Sequence, residues 1–191
     1  MAPRRKYGII SLDTASKCTG WAYLVRENLK ACGCIKTNVK DPMAAKLSDF
    51  KNQLVVIFKK YNPSYVIIEN GYFRGNAVTL KVLSYFVAVA RQAAYETLNI
   101  ESTMVVAAQV RNYFGAKGKD GKEQIFKLMK KEYKLTNFVF KTHNDFTDAI
   151  AQGVYFYRKE IKNELWPEEK LINPRKTKKK KPQKFKKKRK K

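Results

Sequence analysis

Residues 7–13 read Tyr-Gly-Ile-Ile-Ser-Leu-Asp and residues 65–69 read Tyr-Val-Ile-Ile-Glu, two short apolar runs that each end on a carboxylate. Runs of β-branched and aromatic residues of this length read as buried strands of a central sheet. Asp13 and Glu69 then stand at strand carboxyl ends, where open α/β sheets place their ligands. A third acidic pair, Asp145 and Asp148, lies in Asn-Asp-Phe-Thr-Asp-Ala-Ile-Ala over 144–151, at the opening of what reads as the last helix. Their spacing of three puts both on one face of that helix's first turn. Four carboxylates converging in one cleft repel one another unless hard cations sit among them, and an all-oxygen set suits Mg²⁺ or Mn²⁺. The expectation is a phosphodiester-cleaving site that holds two cations about 4 Å apart, one to activate a water and one to steady the leaving oxygen.

The flanking sequence supplies the rest of the sheet. A turn-rich loop over 14–20 leads to strands over 21–27 and 29–37, joined near Asn28 as a hairpin. Asp41 and Pro42 break the chain before a helix over 44–61, whose Leu47, Phe50, Leu54, Ile57 and Phe58 form an apolar stripe. A polar, glycine-punctuated loop over 70–76 follows Glu69. Next comes a helix over 79–98 that is apolar around much of its circumference, a pattern that predicts burial on two sides. A strand over 103–107, a short helix to Phe114, a basic loop to Gly121 and helices over 122–133 and 144–165 complete the order. Three meandering strands followed by alternating helix and strand define an α/β protein with helices on both faces of a mixed five-stranded sheet.

With 191 residues, 44% of them hydrophobic, the chain can bury one full core. The formal charge of +25 says more. From Pro174 onward there are thirteen Lys and Arg and no acids, and the remainder still carries 28 basic against 16 acidic residues. A like-charge block cannot bury itself, so the expected organisation is a nuclease domain over 1–166 and a disordered lysine-rich tail over 167–191, with Trp166 and Pro167 near the boundary. A basic body with a basic tail fits a polyanion, most simply nucleic acid held through its phosphates; a lysine run can also serve as a solvated or nuclear-import tail. No apolar run reaches the ~18 residues of a membrane span. The opening Met-Ala-Pro-Arg-Arg-Lys passes straight into a strand rather than a secretory apolar segment, so a soluble intracellular protein is expected. Cys18, Cys32 and Cys34 are odd in number, and the lone His143 completes no zinc set with them, so all three read as reduced packing residues.

The order strand-Asp, three-strand meander, strand-Glu and late helix with Asp-x-x-Asp resembles the ribonuclease H-like fold, and within it the RuvC family of Holliday-junction resolvases. The resemblance covers most of 7–157. It is strongest at Asp13 through Thr19-Gly20-Trp21, at Ile67-Ile68-Glu69 with the aromatic loop behind it, and at Asp145-Phe-Thr-Asp148-Ala-Ile-Ala151. Many bacterial members carry Pro-Gly after the first Asp where this chain has Thr14-Ala15, which resembles a divergent, viral or phage-type member. The resemblance implies that Asp13, Glu69, Asp145 and Asp148 are catalytic metal ligands for Mg²⁺, with Mn²⁺ an alternative and two ions per site. It implies branched DNA, four-way junctions above all, as substrate. Contacts to that DNA are implied for Tyr72, Phe73 and Arg74 past Glu69, with an aromatic near Tyr72 wedged between bases, a sequence-tolerant way to hold unpaired bases. Arg111 and Lys122 match basic positions near the scissile strand, and Lys117 and Lys119 extend that patch. The helix over 79–98 is the implied homodimer interface.

Blander readings exist for single residues. Asp145 and Asp148 could complement a helix dipole from the first turn, and Asp13 could open a turn. Glu69, ending an apolar strand, has no such local use. His143 could orient a water or contact a phosphate, or equally cap or pack a helix. Among whole-protein rivals, a nuclease cutting the RNA strand of hybrids usually carries its glutamate on the first helix. A non-catalytic nucleic-acid-binding protein would account for the charge but not for four placed acids.

Overall fold

The computed structural model describes residues 6–70 and 77–172. Strands β1 (Gly8–Asp13), β2 (Cys18–Val25) and β3 (Asn28–Lys36) form an antiparallel meander. Helix α1 (Met43–Tyr61) returns the chain to β4 (Tyr65–Glu69), parallel to β1, and α2 (Ala77–Leu98) leads to β5 (Thr103–Val105), parallel to β4. The sheet order is β3-β2-β1-β4-β5, the mixed five-stranded sheet read from the sequence. Helices α3 (Ala107–Tyr113), α4 (Gly121–Glu132) and α5 (Phe140–Tyr155) close the opposite face.

Strand parity decides where the acids point. Ile10 and Leu12 of β1, with Val66 and Ile68 of β4, pack beneath α1 and α2 against Phe50, Leu54, Phe58 and Phe86. Ile9 and Ile67 face the other way, into the cluster that holds Ala149, Ile150 and Val154 of α5. Successive side chains alternate between sheet faces. Asp13 shares the parity of Ile9 and Glu69 that of Ile67, so both carboxylates leave the sheet on the α5 side. The pairing of Leu12 with Ile68 in parallel register makes them neighbours at one edge.

Three element boundaries differ most from expectation. β2 begins at Cys18, because Asp13 pairs with Gly20 and carries the ladder back into what reads as loop. α5 begins at Phe140, with Val139 as its cap, so Asp145 and Asp148 lie in the second and third turns rather than the first. The first-turn dipole role therefore does not apply to them. Past Tyr155 the helix loosens into a π-turn over Phe156–Ile161. Beyond that, the chain packs on after Trp166, itself buried against Phe114 with ring centroids 4.7 Å apart, and the Ile172 amide donates to the Phe114 carbonyl at 3.1 Å. The packed chain thus runs at least six residues beyond the expected boundary, and the lysine-rich stretch after Ile172 lies outside the described residues.

The cysteines also depart from their reading. Cys18 and Cys34 are disulfide-bonded across β2 and β3, with Cα atoms 5.8 Å apart, while Cys32 is free. Their separation of sixteen in sequence carries no pairing signal until the hairpin register sets Gly20 opposite Cys34. Among the described residues, no helix is long and apolar enough to cross a membrane.

Candidate active site

Two close approaches of backbone hold α5 against the sheet. A Cβ on Gly20 would stand 2.2 Å from the carbonyl oxygen of Asp145, and one on Gly153 would stand 2.5 Å from Leu24 Cδ1. Between them the buried Ser11 hydroxyl donates to the Ala149 carbonyl at 2.6 Å. The helix is thereby seated on β1 and β2 with Asp145 and Asp148 facing the strand ends that bear Asp13 and Glu69.

The four acids do converge, and Lys122 stands among them. Its Nζ lies 3.0 Å from Asp145 Oδ1, 3.2 Å from Asp148 Oδ2 and 3.9 Å from Asp13 Oδ2. Burial pushes the Asp13 carboxyl well above its usual range, Glu69 and Asp148 push it further, and Lys122 offsets only part. Burial likewise raises Glu69, with Asp148 adding to it and Arg111 and Lys122 opposing. Asp148 is raised by burial against the pull of Lys122 and Arg111. Burial disfavours the Lys122 charge, yet Asp148, Asp13 and Asp145 outweigh it and hold the ammonium above its ordinary value. This is the electrostatic signature of acids placed together for a cation.

As they stand, no three His, Cys, Asp or Glu side chains among the described residues are arranged to hold a metal ion. The carboxylates are drawn instead around an ammonium. An all-oxygen donor set that already accepts a cation at its centre fits hard divalent ions, with Asp13, Glu69, Asp145 and Asp148 as the residues that would hold them.

The basic residues read from the sequence separate into groups. Lys122 lies inside the cluster, because α4 starts at Gly121 and its first turn abuts Asp145. Arg111 lines a small pocket beneath it with Glu69, Asp148 and Gln152. Lys117 and Lys119 sit outside on the exposed turn before α4, where Gln124 brackets Lys117 through both its amide and its carbonyl. Tyr72, Phe73 and Arg74 fall outside the described residues. His143 is a packing and capping residue: it stacks on Phe138 with centroids 4.6 Å apart, and its Nδ1 accepts from the Val139 amide at 3.0 Å.

One participant escaped the sequence reading. Gln152 Nε2 donates to Glu69 Oε2 at 2.8 Å. The signal was available, since Asp145, Asp148 and Gln152 fall at i, i+3 and i+7 on one helical face, and an amide inside Ala-Ile-Ala-Gln-Gly-Val is out of place in a purely structural stripe.

An open sheet of this order, with acids at the ends of its first and fourth strands and on the last helix, defines a ribonuclease H-like protein. The model of the family "Crossover junction endodeoxyribonuclease RuvC" matches residues 9–155. The chain belongs to the RuvC family. It is 30% identical over 150 residues to the RuvC of Rickettsia typhi and 29% identical to that of Rickettsia prowazekii, in each case over 75% of this chain and 92% of the relative. Among solved structures it is similar to Thermus thermophilus RuvC in complex with a Holliday junction substrate, with a TM-score of 0.69 at 14% identity over 82% of this chain and 96% of that one. It is also similar to the yeast mitochondrial Holliday junction resolvase, with a TM-score of 0.56 at 12% identity, over 85% of this chain and 83% of the other.

Proposed function

We propose that this chain is a structure-selective DNA endonuclease that resolves four-way junctions by hydrolysing phosphodiester bonds with Mg²⁺, or Mn²⁺, two ions to a site. The observation that carries this reading is the convergence of Asp13, Asp145 and Asp148 around the Lys122 ammonium, with Glu69 beside them at the end of β4, in a member of the RuvC family. Bound divalent ions would supply an activated water and steady the leaving oxygen. The chain's own part is to hold four acids in place at the mouth of a basic surface. Arg111 offsets the charge of Glu69 and Asp148 from below, and Lys122, on the first turn of α4, brings a cation to where a phosphate would approach. Lys117 and Lys119 extend the positive surface, and Tyr72, Phe73 and Arg74 are assigned to the junction centre. The compartment is whichever part of the cell holds branched DNA.

The test is incubation with matched linear duplex, RNA–DNA hybrid, fork and four-way substrates, in Mg²⁺ or in chelator. Paired incisions in the four-way substrate, dependent on Mg²⁺, are expected. Equal cutting of the hybrid would make the chain a hybrid nuclease, and tight binding without incision would make it a non-catalytic binder.

Two symmetry-related strands must be nicked and each chain carries one site, so a homodimer is proposed, with α2 in the contact. The outward face of α2 is the one proposed for the contact. Phe86 is fully buried against Phe50, so a charge there would unfold the monomer, and Val82 is half-buried on the same core. Tyr85 and Ala88 face outward. Ala88→Glu should give a folded monomer in sedimentation that loses paired nicking, because an uncompensated ion in a contact is poorly tolerated. A wild type that sediments as a monomer both free and on junction DNA would rule the dimer out.

Deleting residues 174–191 removes thirteen cations that can only meet phosphates. Affinity for all DNA shapes should fall and the slope of log K against log salt should flatten, by roughly 0.9 for each duplex phosphate that is no longer neutralised. Preference for junction over duplex should survive, as measured by competition binding at several salt concentrations.

A further inference from the structure

Gln152 lies in the deepest stretch of α5, where every residue over 147–155 is buried, and the chemistry above makes no use of it. An amide in such a place costs stability unless it is bonded, and an apolar residue would fill the space at no such cost. Only half of this amide is satisfied. Its Nε2 donates to Glu69 Oε2 at 2.8 Å, while its Oε1 is buried without a hydrogen-bond partner among the described residues. The unsatisfied half shows that the residue is not placed for core stability; what it achieves is the bond to Glu69. Glu69 in turn needs such a bond, because it ends its strand half-buried in the same small pocket as Asp148. An NH₂ group can only donate to it. That fixes one carboxylate oxygen.

We propose that Gln152 is the positioning residue for Glu69, its side-chain amide holding the carboxylate in the orientation in which the acid cluster takes up a divalent cation. This rests on the reading of the cluster as a divalent-metal site. The full-length protein should be tested by calorimetric Mg²⁺ titration and by the paramagnetic signal of Mn²⁺, alongside cleavage. Gln152→Met, similar in volume and without a donor, should keep its fold and its metal-free junction affinity, yet bind Mn²⁺ about tenfold more weakly, with cleavage recovering at high metal. Gln152→Asn keeps the amide but draws it back by one methylene, and should show the same weakening. If burying an amide there were all that mattered, Asn would match the wild type. In a Glu69→Gln background, Gln152→Met should change Mn²⁺ affinity no further, because the two act as a unit. Unchanged Mn²⁺ affinity in the single variants, or additive losses in the double variant, would overturn the proposal. Failure of the underlying metal reading looks different: the wild type itself would then take up no Mn²⁺ that Asp13→Asn abolishes.

Discussion

Asp13→Asn should yield a protein that binds four-way junctions at least as tightly as the wild type and cuts none of them. On the proposed reading the carboxylate holds metal and does not supply a DNA contact, so its loss would remove chemistry while a phosphate-facing cleft becomes less negative. A fall in cleavage of order 10³-fold or more is expected, comparable to removing a key electrostatic group from an active site. Glu69→Gln and Asp148→Asn should behave alike, and if any two of the three still cut near the wild-type rate in Mg²⁺, the site is misassigned. A second readout comes from stability in chelator. Burial and neighbouring acids raise the Asp13 pKa above its value in the unfolded chain, so the folded state binds the proton more tightly. The group is then neutral to stability below the unfolded carboxylate value of about 4, and destabilises increasingly as pH rises from there through its raised folded pKa. Metal-free Asp13→Asn should therefore melt above the metal-free wild type at neutral pH, the gap closing as pH falls toward 4. Equal melting temperatures across that range would show that Asp13 is not electrostatically strained.

Gly20→Ala should disable the enzyme from a residue that carries no functional group. The new Cβ would stand 2.2 Å from the Asp145 carbonyl oxygen and 2.4 Å from its carbon, both backbone, so no rotamer change can relieve the clash. Either β2 or the second turn of α5 must move. Overpacking of this kind costs roughly 1–3 kcal/mol. The larger effect falls on chemistry, since Asp145 and Asp148 ride on the part of α5 that would shift, and a displacement near 1 Å can cost on the order of 10²-fold in rate. Gly153→Ala is the control. Its Cβ would meet Leu24 Cδ1 and Ser11 Oγ, side-chain atoms that can yield without moving the backbone that carries Asp145, so it should lower melting temperature with a smaller effect on cleavage. Equal cleavage losses in the two variants would mean that general destabilisation, rather than displacement of Asp145, is responsible.

Much of this was readable in the chain because strands advertise themselves. Tyr65–Glu69 has the same limits in sequence and structure, but both strands are apolar on either face, so which side of the sheet Asp13 and Glu69 leave becomes clear only from the two clusters that the strands divide. The acids were legible as a set because each closes an apolar run or repeats at helical spacing. What stayed hidden depends on contacts between distant segments. The early start of β2 comes from pairing with β1, and the start of α5 at Phe140 comes from His143 and Val139 closing a turn whose cap position carries no serine, threonine or aspartate. The placement of Lys122 inside the cluster needs α4 to be docked beside α5, which no local pattern states. The Cys18–Cys34 bond likewise exists only once the hairpin register is known.

The seating of α5 on β1 and β2 through Gly20, Ser11 and Gly153 also bears on how such a protein can diverge. On the proposed reading, chemistry here depends on four acids and on the close approach of Gly20 to the Asp145 backbone, and the surrounding core asks only for apolar side chains of roughly the right volume. Loops, helix surfaces and termini are therefore free to drift. A likeness in shape to a bacterial protein at 14% identity is what that allotment of constraint produces. Lineages carrying this architecture can rewrite most of their sequence around an unaltered catalytic frame, provided the residue against Asp145 never gains a side chain.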